Sequence, residues 1–232
     1  MPAVSVVIPC YRQGHLLGDA LGSLVAQTVG DWEAIVVGPV DETGPALVRF
    51  LAQAKVNECP KTVRIALLDE RERKGPGSAR NLGVRKSRGR YVLPLDADDM
   101  IGSAFLERTV AVLEHEPDVA IVYTDQQCFG VHRGRWETGP FTRDALLECN
   151  RLPYCSLYRR EVWDIVGGYS DEHYEDWSFW LGAATLGYKA KRIPEALFLY
   201  RTTTGTTRSS AVRGREYQFA QRVRDRWREP GP

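Results

Sequence analysis

The stretch Tyr91–Met100, YVLPLDADDM, constrains this chain more than any other. A short apolar run, bounded by Gly89 on one side and a polar cluster on the other, reads as a buried strand. Three carboxylates, Asp96, Asp98 and Asp99, follow within four positions. They would emerge at the C-terminal end of the strand, where open α/β sheets bind ligands. Three negative charges gathered in a cleft need compensation. A divalent cation that prefers oxygen, Mg²⁺ or Mn²⁺, is the natural partner, because it accepts one or two carboxylates plus phosphate oxygens. The competing reading is a solvated acidic turn. An EF-hand loop starting at Asp96 is excluded, since its fifth position would be Met100 and its sixth Ile101, where glycine is required.

Upstream of this strand the pattern alternates. Val4–Pro9 is β-branched and strand-like. Between His15 and Gln27, Leu16, Leu17, Ala20, Leu21, Leu24 and Val25 share one helical face. Trp32–Val37 forms a second strand closed by Gly38-Pro39, and Pro45–Lys55 a second helix. Val63–Leu68 makes a third strand, and Ser78 caps a helix running to about Lys86. After the acidic strand come a helix from about Ser103 to His115 and a strand at Val119–Thr124. This βαβαβ order predicts an α/β fold with a mostly parallel sheet and right-handed crossovers.

The second half is less regular. Gln126–Pro140 reads as a hairpin or a loop over the site. Arg143–Cys149 suits a short helix, and Tyr154–Tyr158 a strand. A helix at Arg160–Val166 would stop at Gly167-Gly168. Asp176–Leu186 has helical spacing, Ala196–Tyr200 reads as the last strand, and Thr202–Ser210 has loop composition.

The whole-chain balance excludes several classes. A net charge of +1 over 232 residues gives no case for nucleic-acid binding. Five scattered cysteines without a CxxC pair indicate neither a disulfide framework nor a zinc site, which fits a reduced, cytoplasmic setting. The N-terminus runs into a strand without a signal-peptide pattern, and no apolar stretch approaches the length of a membrane span. His15, His115, His132 and His173 show no ligand spacing. Gly75-Pro76-Gly77 lacks the third glycine of a dinucleotide fingerprint, whose place is taken by Arg80, so it reads as a turn before a helix. Arg213–Arg228 sets Tyr217, Ala220, Val223 and Trp227 along one side of a basic helix. Docking of that stripe on the domain is favoured over peripheral contact with an anionic membrane.

Taken together, these stretches resemble a family-two glycosyltransferase of the GT-A fold, a Rossmann-like nucleotide-sugar domain. VSVVIPCYRQ is similar to that family's opening strand and turn, and GPGSARNLGVRKSRGRYVLPLDADD to its central block. SLYRREVWDIVGGYSDEHYEDWSFWLGAATLGYKAKRIPEALFLYR is similar to its acceptor-side half. The resemblance implies one domain over residues 1–212, with a nucleotide-sugar half at 1–125 and an acceptor half at 126–212, followed by a basic tail at 213–232. It implies donor contacts from Pro9, Tyr11, Arg80, Asp96, Ala97 and Asp98, and a metal on Asp98 and Asp96. It further implies Asp176 as the base, with Glu175 and Trp177 on the acceptor side, where Trp177, next to the base, could stack on a sugar ring, for inverting transfer from a nucleotide-diphosphate sugar to a saccharide or lipid-linked acceptor. One departure stands out. The family's aspartate pair after the second strand is here Gly38-Pro39, with Asp41 and Glu42 the nearest acids, so either Asp41 takes over the reading of the base or base recognition here is unusual. A sugar nucleotidyltransferase and a non-catalytic nucleotide-sugar-binding module are the competing classes. The first should carry a Gly-rich basic loop that PCYRQGH does not resemble, and the second is opposed by the presence of Asp96, Asp98 and Asp176.

Overall fold

A computed structural model describes residues 1–53, 64–71, 75–204 and 214–228. Val63, the expected helix end at Lys55, most of the Thr202–Ser210 segment and Arg213 lie outside the described residues.

Among the described residues, nine strands form one sheet in the order β3-β2-β1-β4-β8-β6-β9-β5, with β7 on β6. The first four are β1 (Val4–Pro9), β2 (Trp32–Gly38), β3 (Arg64–Asp69) and β4 (Tyr91–Pro94), and every pairing among them is parallel. All residues of β1, β2 and β4 are buried, as expected for strands covered on both faces. Side chains then alternate between two cores. Val4, Val6 and Ile8 face α1 (Leu17–Val25), α2 (Val40–Gln53) and α4 (Phe105–His115), against Leu21, Leu24, Leu47 and Phe105. Val7 and Val92 face the other way, toward Val84 of α3 (Pro76–Lys86), Val162 of α6 (Arg160–Val166) and Trp180 of α7 (Glu175–Thr185).

The remaining strands make the sheet mixed. The hairpin of β6 (Val119–Gly130) and β7 (Gly134–Trp136) turns the chain around, and β8 (Leu157–Arg159) then runs against both β4 and β6. β9 (Lys189–Thr202) lies parallel to β6, and the two-residue β5 (Met100–Ile101) is antiparallel to β9. β6 and β9 are longer than their apolar runs suggested, because β6 continues into the polar Asp125, Gln126 and Gln127 and β9 begins in the polar stretch from Lys189 to Arg192. Two helices also begin earlier than expected. α3 starts at Pro76 with Gly75 at its N-cap, since proline suits the first helical turn. α2 takes in Val40–Gly44 and carries Pro45 inside it.

The C-terminal helix α8 (Glu216–Arg226) docks on the domain. Its Ala220 and Val223, with Trp227 just beyond, join the second core. Trp227 lies so close over α7 that a Cβ at Gly182 would stand 2.5 Å from its ring. Arg224 donates to the carbonyls of Leu147 at 2.6 Å and Glu148 at 2.7 Å, at the end of α5 (Arg143–Glu148). The apolar stripe is therefore used inside the protein, except for exposed Tyr217.

One buried carboxylate fixes the hairpin. Asp125 accepts from Arg192 at 2.8 and 2.9 Å, from Arg135 at 2.8 Å, and from the Thr138 amide and hydroxyl at 3.1 and 3.0 Å. Burial alone would raise its pKa, but these bonds outweigh burial and hold the carboxyl well below the usual range. Asp125→Ala would leave Arg192 with Glu137 at 4.0 Å, Arg135 with the Pro194 carbonyl at 2.9 Å, and the Thr138 amide unsatisfied. The loss should be about 3 kcal/mol, the low end for a broken buried pair because both guanidiniums keep some solvent. Urea unfolding at neutral pH measures it.

Candidate active site

The acidic turn stands where the sheet ends. The Leu95 amide continues the ladder to the Val7 carbonyl at 3.0 Å, and the Asp99 amide then closes a turn on the Asp96 carbonyl at 3.1 Å. Carboxylate oxygens of Asp96, Asp98 and Asp99 lie within 4.8 Å of one another. The three are not equivalent. Asp99 is buried and accepts from the Tyr154 hydroxyl and the Arg201 amide, both at 2.6 Å. Tyr154 in turn accepts from the Asp96 amide at 2.9 Å, and Arg201 donates to the Asp98 carbonyl at 2.7 Å and to Asp19 at 2.6 Å. Asp99 thus braces the turn, while the partly exposed Asp96 and Asp98 remain for a ligand. Asp98 accepts from Gln13 at 2.7 Å. Burial first, and then the adjacent Asp96, push its carboxyl up to about 6. Two crowded oxygen donors, one held at such a cost, fit a hard divalent cation.

A buried cation joins this turn to the second half of the chain. Arg80, on α3, pairs with Asp96 at 2.7 Å and with Glu175 at 2.5 Å. Its guanidinium is flanked by the rings of Tyr154 and Tyr169, at 5.0 and 5.7 Å from their centroids. The next residue, Asn81, donates to the Tyr169 carbonyl at 2.8 Å and accepts from the Tyr169 amide and the Trp163 indole, each at 2.9 Å. The Ala-Arg-Asn and Gly-Gly-Tyr segments are therefore one tertiary unit. Gly77 lets α3 approach it, because a Cβ there would stand 2.1 Å from the Ser170 carbonyl.

Glu175 and Asp176 occupy the first turn of α7, where the helix favours carboxylates. Burial pushes the Glu175 carboxyl up, opposed by Arg80. Asp176 is buried and accepts from Asn150 at 3.3 Å. Its α7 begins from Tyr174, whose backbone is left-handed at φ 64°. Arg12, in the turn after β1, has φ 55°. These are the only non-glycine residues of that kind among the described residues, and both border the ends of the strands. Such conformations cost on the order of 1–3 kcal/mol and cluster at functional sites.

Asp176 opens on a cavity of about 350 Å³ shared with Gln126, Asn150, Tyr174 and Tyr200. Trp177 lines it too, but its indole N–H donates to the Leu146 carbonyl at 2.7 Å and Arg224 lies over its ring at 5.4 Å. Trp180 is wholly core.

The expected base-reading corner is built differently. A Cβ at Gly38 would stand 2.0 Å from the Cys10 carbonyl, so an aspartate cannot enter without moving backbone. Asp41 is exposed on the first turn of α2. Asp69, in register with Gly38, accepts from the Val40 amide at 3.1 Å and from Arg71 at 2.9 Å. Pro9 and Ala97 are buried at the strand ends, and Tyr11 lies partly exposed under the Arg12 guanidinium at 5.5 Å. Sequence reasoning did not single out Gln13, Asp69, Asn150, Tyr154 or Arg201. Gln13 closes the opening strand-and-turn motif, which is a usable signal, but the others are placed by tertiary contacts no local pattern encodes.

The cleft is thus an open α/β sheet with an acidic pair at its carboxyl end, tied through Arg80 to a second pair of carboxylates on α7. The family model for glycosyl transferase family 2 matches residues 5–166, and the chain belongs to that family. It is 26% identical over 96% of its length to the uncharacterized glycosyltransferase YwdF of Bacillus subtilis, covering 83% of that protein. Among solved structures, it resembles a mannosyltransferase from Pyrobaculum calidifontis in complex with GDP-Man and Mn²⁺, with TM-score 0.74 and 20% identity over 100% of this chain and 65% of that one. It also resembles S. aureus TarS 1–349 in complex with UDP-GlcNAc, with TM-score 0.70 and 20% identity over 90% of this chain and 61% of that one. The chain thus spans less than two thirds of either solved protein.

The raised Asp98 carboxyl gives a signed expectation for the metal-free protein. An acid whose folded pKa lies near 6 rather than 3.8 leaves stability intact below 3.8 and removes it as pH rises through about 6. Asp98→Asn should therefore raise metal-free stability at pH 7 by about 1–2 kcal/mol, a figure discounted for solvent screening, with the gain vanishing toward pH 4. Thermal melts in a chelator across this range check it.

Proposed function

We propose that this chain is an inverting glycosyltransferase moving a sugar from a nucleotide-diphosphate donor to an acceptor hydroxyl, with Asp176 as the base. The observation that carries this reading is the continuous link Asp98-turn–Asp96–Arg80–Glu175, which ends beside Asp176. It ties a carboxylate turn that fits a cation to the helix whose first turn carries Asp176. The nucleotide-sugar complexes of the structural neighbours support the same reading by analogy.

In this reading the donor's nucleotide lies across the ends of β1, β2 and β4, against Pro9, Tyr11, Ala97 and the Asp41 and Asp69 corner. Asp98 and Asp96 hold a divalent cation, Mn²⁺ or Mg²⁺, whose chemistry there is neutralisation of charge on the departing nucleoside diphosphate. Arg80, buried between Asp96 and Glu175, fixes the donor-side acid relative to the base-bearing helix. The acceptor enters the aromatic cavity, where Asn150 holds one oxygen of Asp176 and Asp176 accepts the hydroxyl proton as the oxygen attacks. One base with attack opposite the leaving group inverts the anomeric centre, so no second carboxylate is needed as acid.

The tests separate donor binding from transfer. UDP and GDP with Mn²⁺ should raise the melting temperature of the wild type, since a ligand that binds only the folded state stabilises it. Asp98→Ala should abolish the metal-dependent part of that shift; an unchanged shift would refute the metal assignment. Asp176→Asn should keep nucleotide affinity but lower transfer at least about a hundredfold, the low end for loss of a general base. Near-normal turnover would move the base elsewhere, with Glu175 the first candidate.

A further inference from the structure

The cavity beside Asp176 has a wall that neither the acidic turn nor the base helix supplies. β7 lies on β6 with Trp136 opposite Gln126, and both side chains line the cavity. Trp136 is 49% exposed, an unusual position for a tryptophan with no core to fill. A loose surface indole would be free to wander, but this one is not. Arg135, immediately before it, is bound to Asp125, and Thr138, two residues after it, is bound to the same carboxylate through amide and hydroxyl. Arg192 anchors that carboxylate to β9. The fold thus uses a buried anion to lock both flanks of an exposed ring.

The polar groups facing that ring are equally specific. Gln126 is 5% exposed, and among the described residues its only side-chain hydrogen bond is a weak one to the Cys128 sulfur at 3.7 Å. Asn150 and Asp176 stand on the same cavity. Amide and carboxylate groups set among aromatic faces match the two-sided chemistry of a pyranose, whose C–H face is apolar and whose rim carries hydroxyls. An acyl chain would have no use for the polar groups.

We propose that Trp136 is a pre-set stacking platform for a sugar ring of a carbohydrate acceptor, with Gln126 and Asn150 taking hydroxyls of that acceptor and Asp125 fixing the platform. The proposal rests on the glycosyltransferase reading above and assigns the acceptor's chemical class. It also moves the stacking role from Trp177, whose ring and indole N–H are already engaged, to the hairpin.

The test uses the full chain loaded with Mn²⁺ and, in separate runs, UDP and GDP, applied to an array of immobilised oligosaccharides. Wild type should bind a subset. Trp136→Ala should bind those glycans at least about tenfold more weakly, the scale of an aromatic hot spot. Trp136→Phe, which keeps an aromatic face, should stay within about threefold, against that same aromatic scale. Melting temperatures of the variants serve as the fold control. Binding to no glycan by the wild type, equal binding by Trp136→Ala, or capture only by vesicles of anionic phospholipid would overturn it. Nucleoside diphosphate release from a nucleotide sugar by the wild type keeps the two readings apart. Its absence would count against glycosyl transfer itself, whereas its presence with an indifferent Trp136 would sink the platform alone.

Discussion

The ion-pair bridge through Arg80 is the constraint on which the site depends. A guanidinium taken out of water costs several kcal/mol unless partners meet it on every side. Here two carboxylates from segments 79 residues apart meet its two terminal nitrogens and two tyrosine rings cover its faces, while Nε stays buried without a hydrogen-bond partner among the described residues. Neither carboxylate can be withdrawn without stranding a buried charge, so the acidic turn and the N-terminus of α7 are held at a fixed separation. In the transfer reading proposed above, that separation is what the reaction uses, because the leaving group and the incoming hydroxyl must lie on opposite sides of one carbon. The bridge is a geometric gauge before it is a source of stability.

Much of this was legible in the sequence, for a physical reason. The first half obeys short-range rules. Strands buried on both faces are continuous apolar runs, and crossover helices show one apolar stripe, so β1 to β4 and α1 to α4 could be read with errors confined to their ends. The acidic turn was legible because three carboxylates crowded against the end of a buried strand repel one another unless a cation joins them. Within it, though, the division of labour was not. Whether Asp99 binds a ligand or braces the turn is decided by Tyr154 and Arg201, which arrive from 55 and 102 residues away.

The mixed half of the sheet was harder because its strands are short or polar. β8 has three residues and β5 two, too few for any periodicity. β6 runs past its apolar portion into Asp125, Gln126 and Gln127, of which Gln126 lines the cavity and Asp125 is the buried anchor of the hairpin. Sequence reasoning gave stacking to Trp177 because it adjoins Asp176 in the chain. In three dimensions the neighbour of interest on the open side is Trp136, forty residues earlier, and Trp177 is occupied from behind by α8. Gly38 teaches the complementary lesson. A missing aspartate looks like lost function, yet the position is closed by the Cys10 carbonyl, and the sheet edge offers Asp69 beside it instead.

The brace from Arg201 also fixes an order of events during synthesis. Chains emerge from the ribosome N-terminus first, and early elements fold while later ones are still being made. The parallel sheet of β1 to β4 and its helices can pair before residue 100 is long past. The acidic turn cannot settle then, since Asp99 waits for the Arg201 amide, Asp98 for the Arg201 side chain, and Asp19 for the same guanidinium across 182 residues. α7 waits longer, for Trp227 to close over Gly182. The nascent chain therefore carries parallel strands with one face still waiting for Val162 and Trp180, and the acidic turn gains its last bonds only when almost the whole of the described chain has been made.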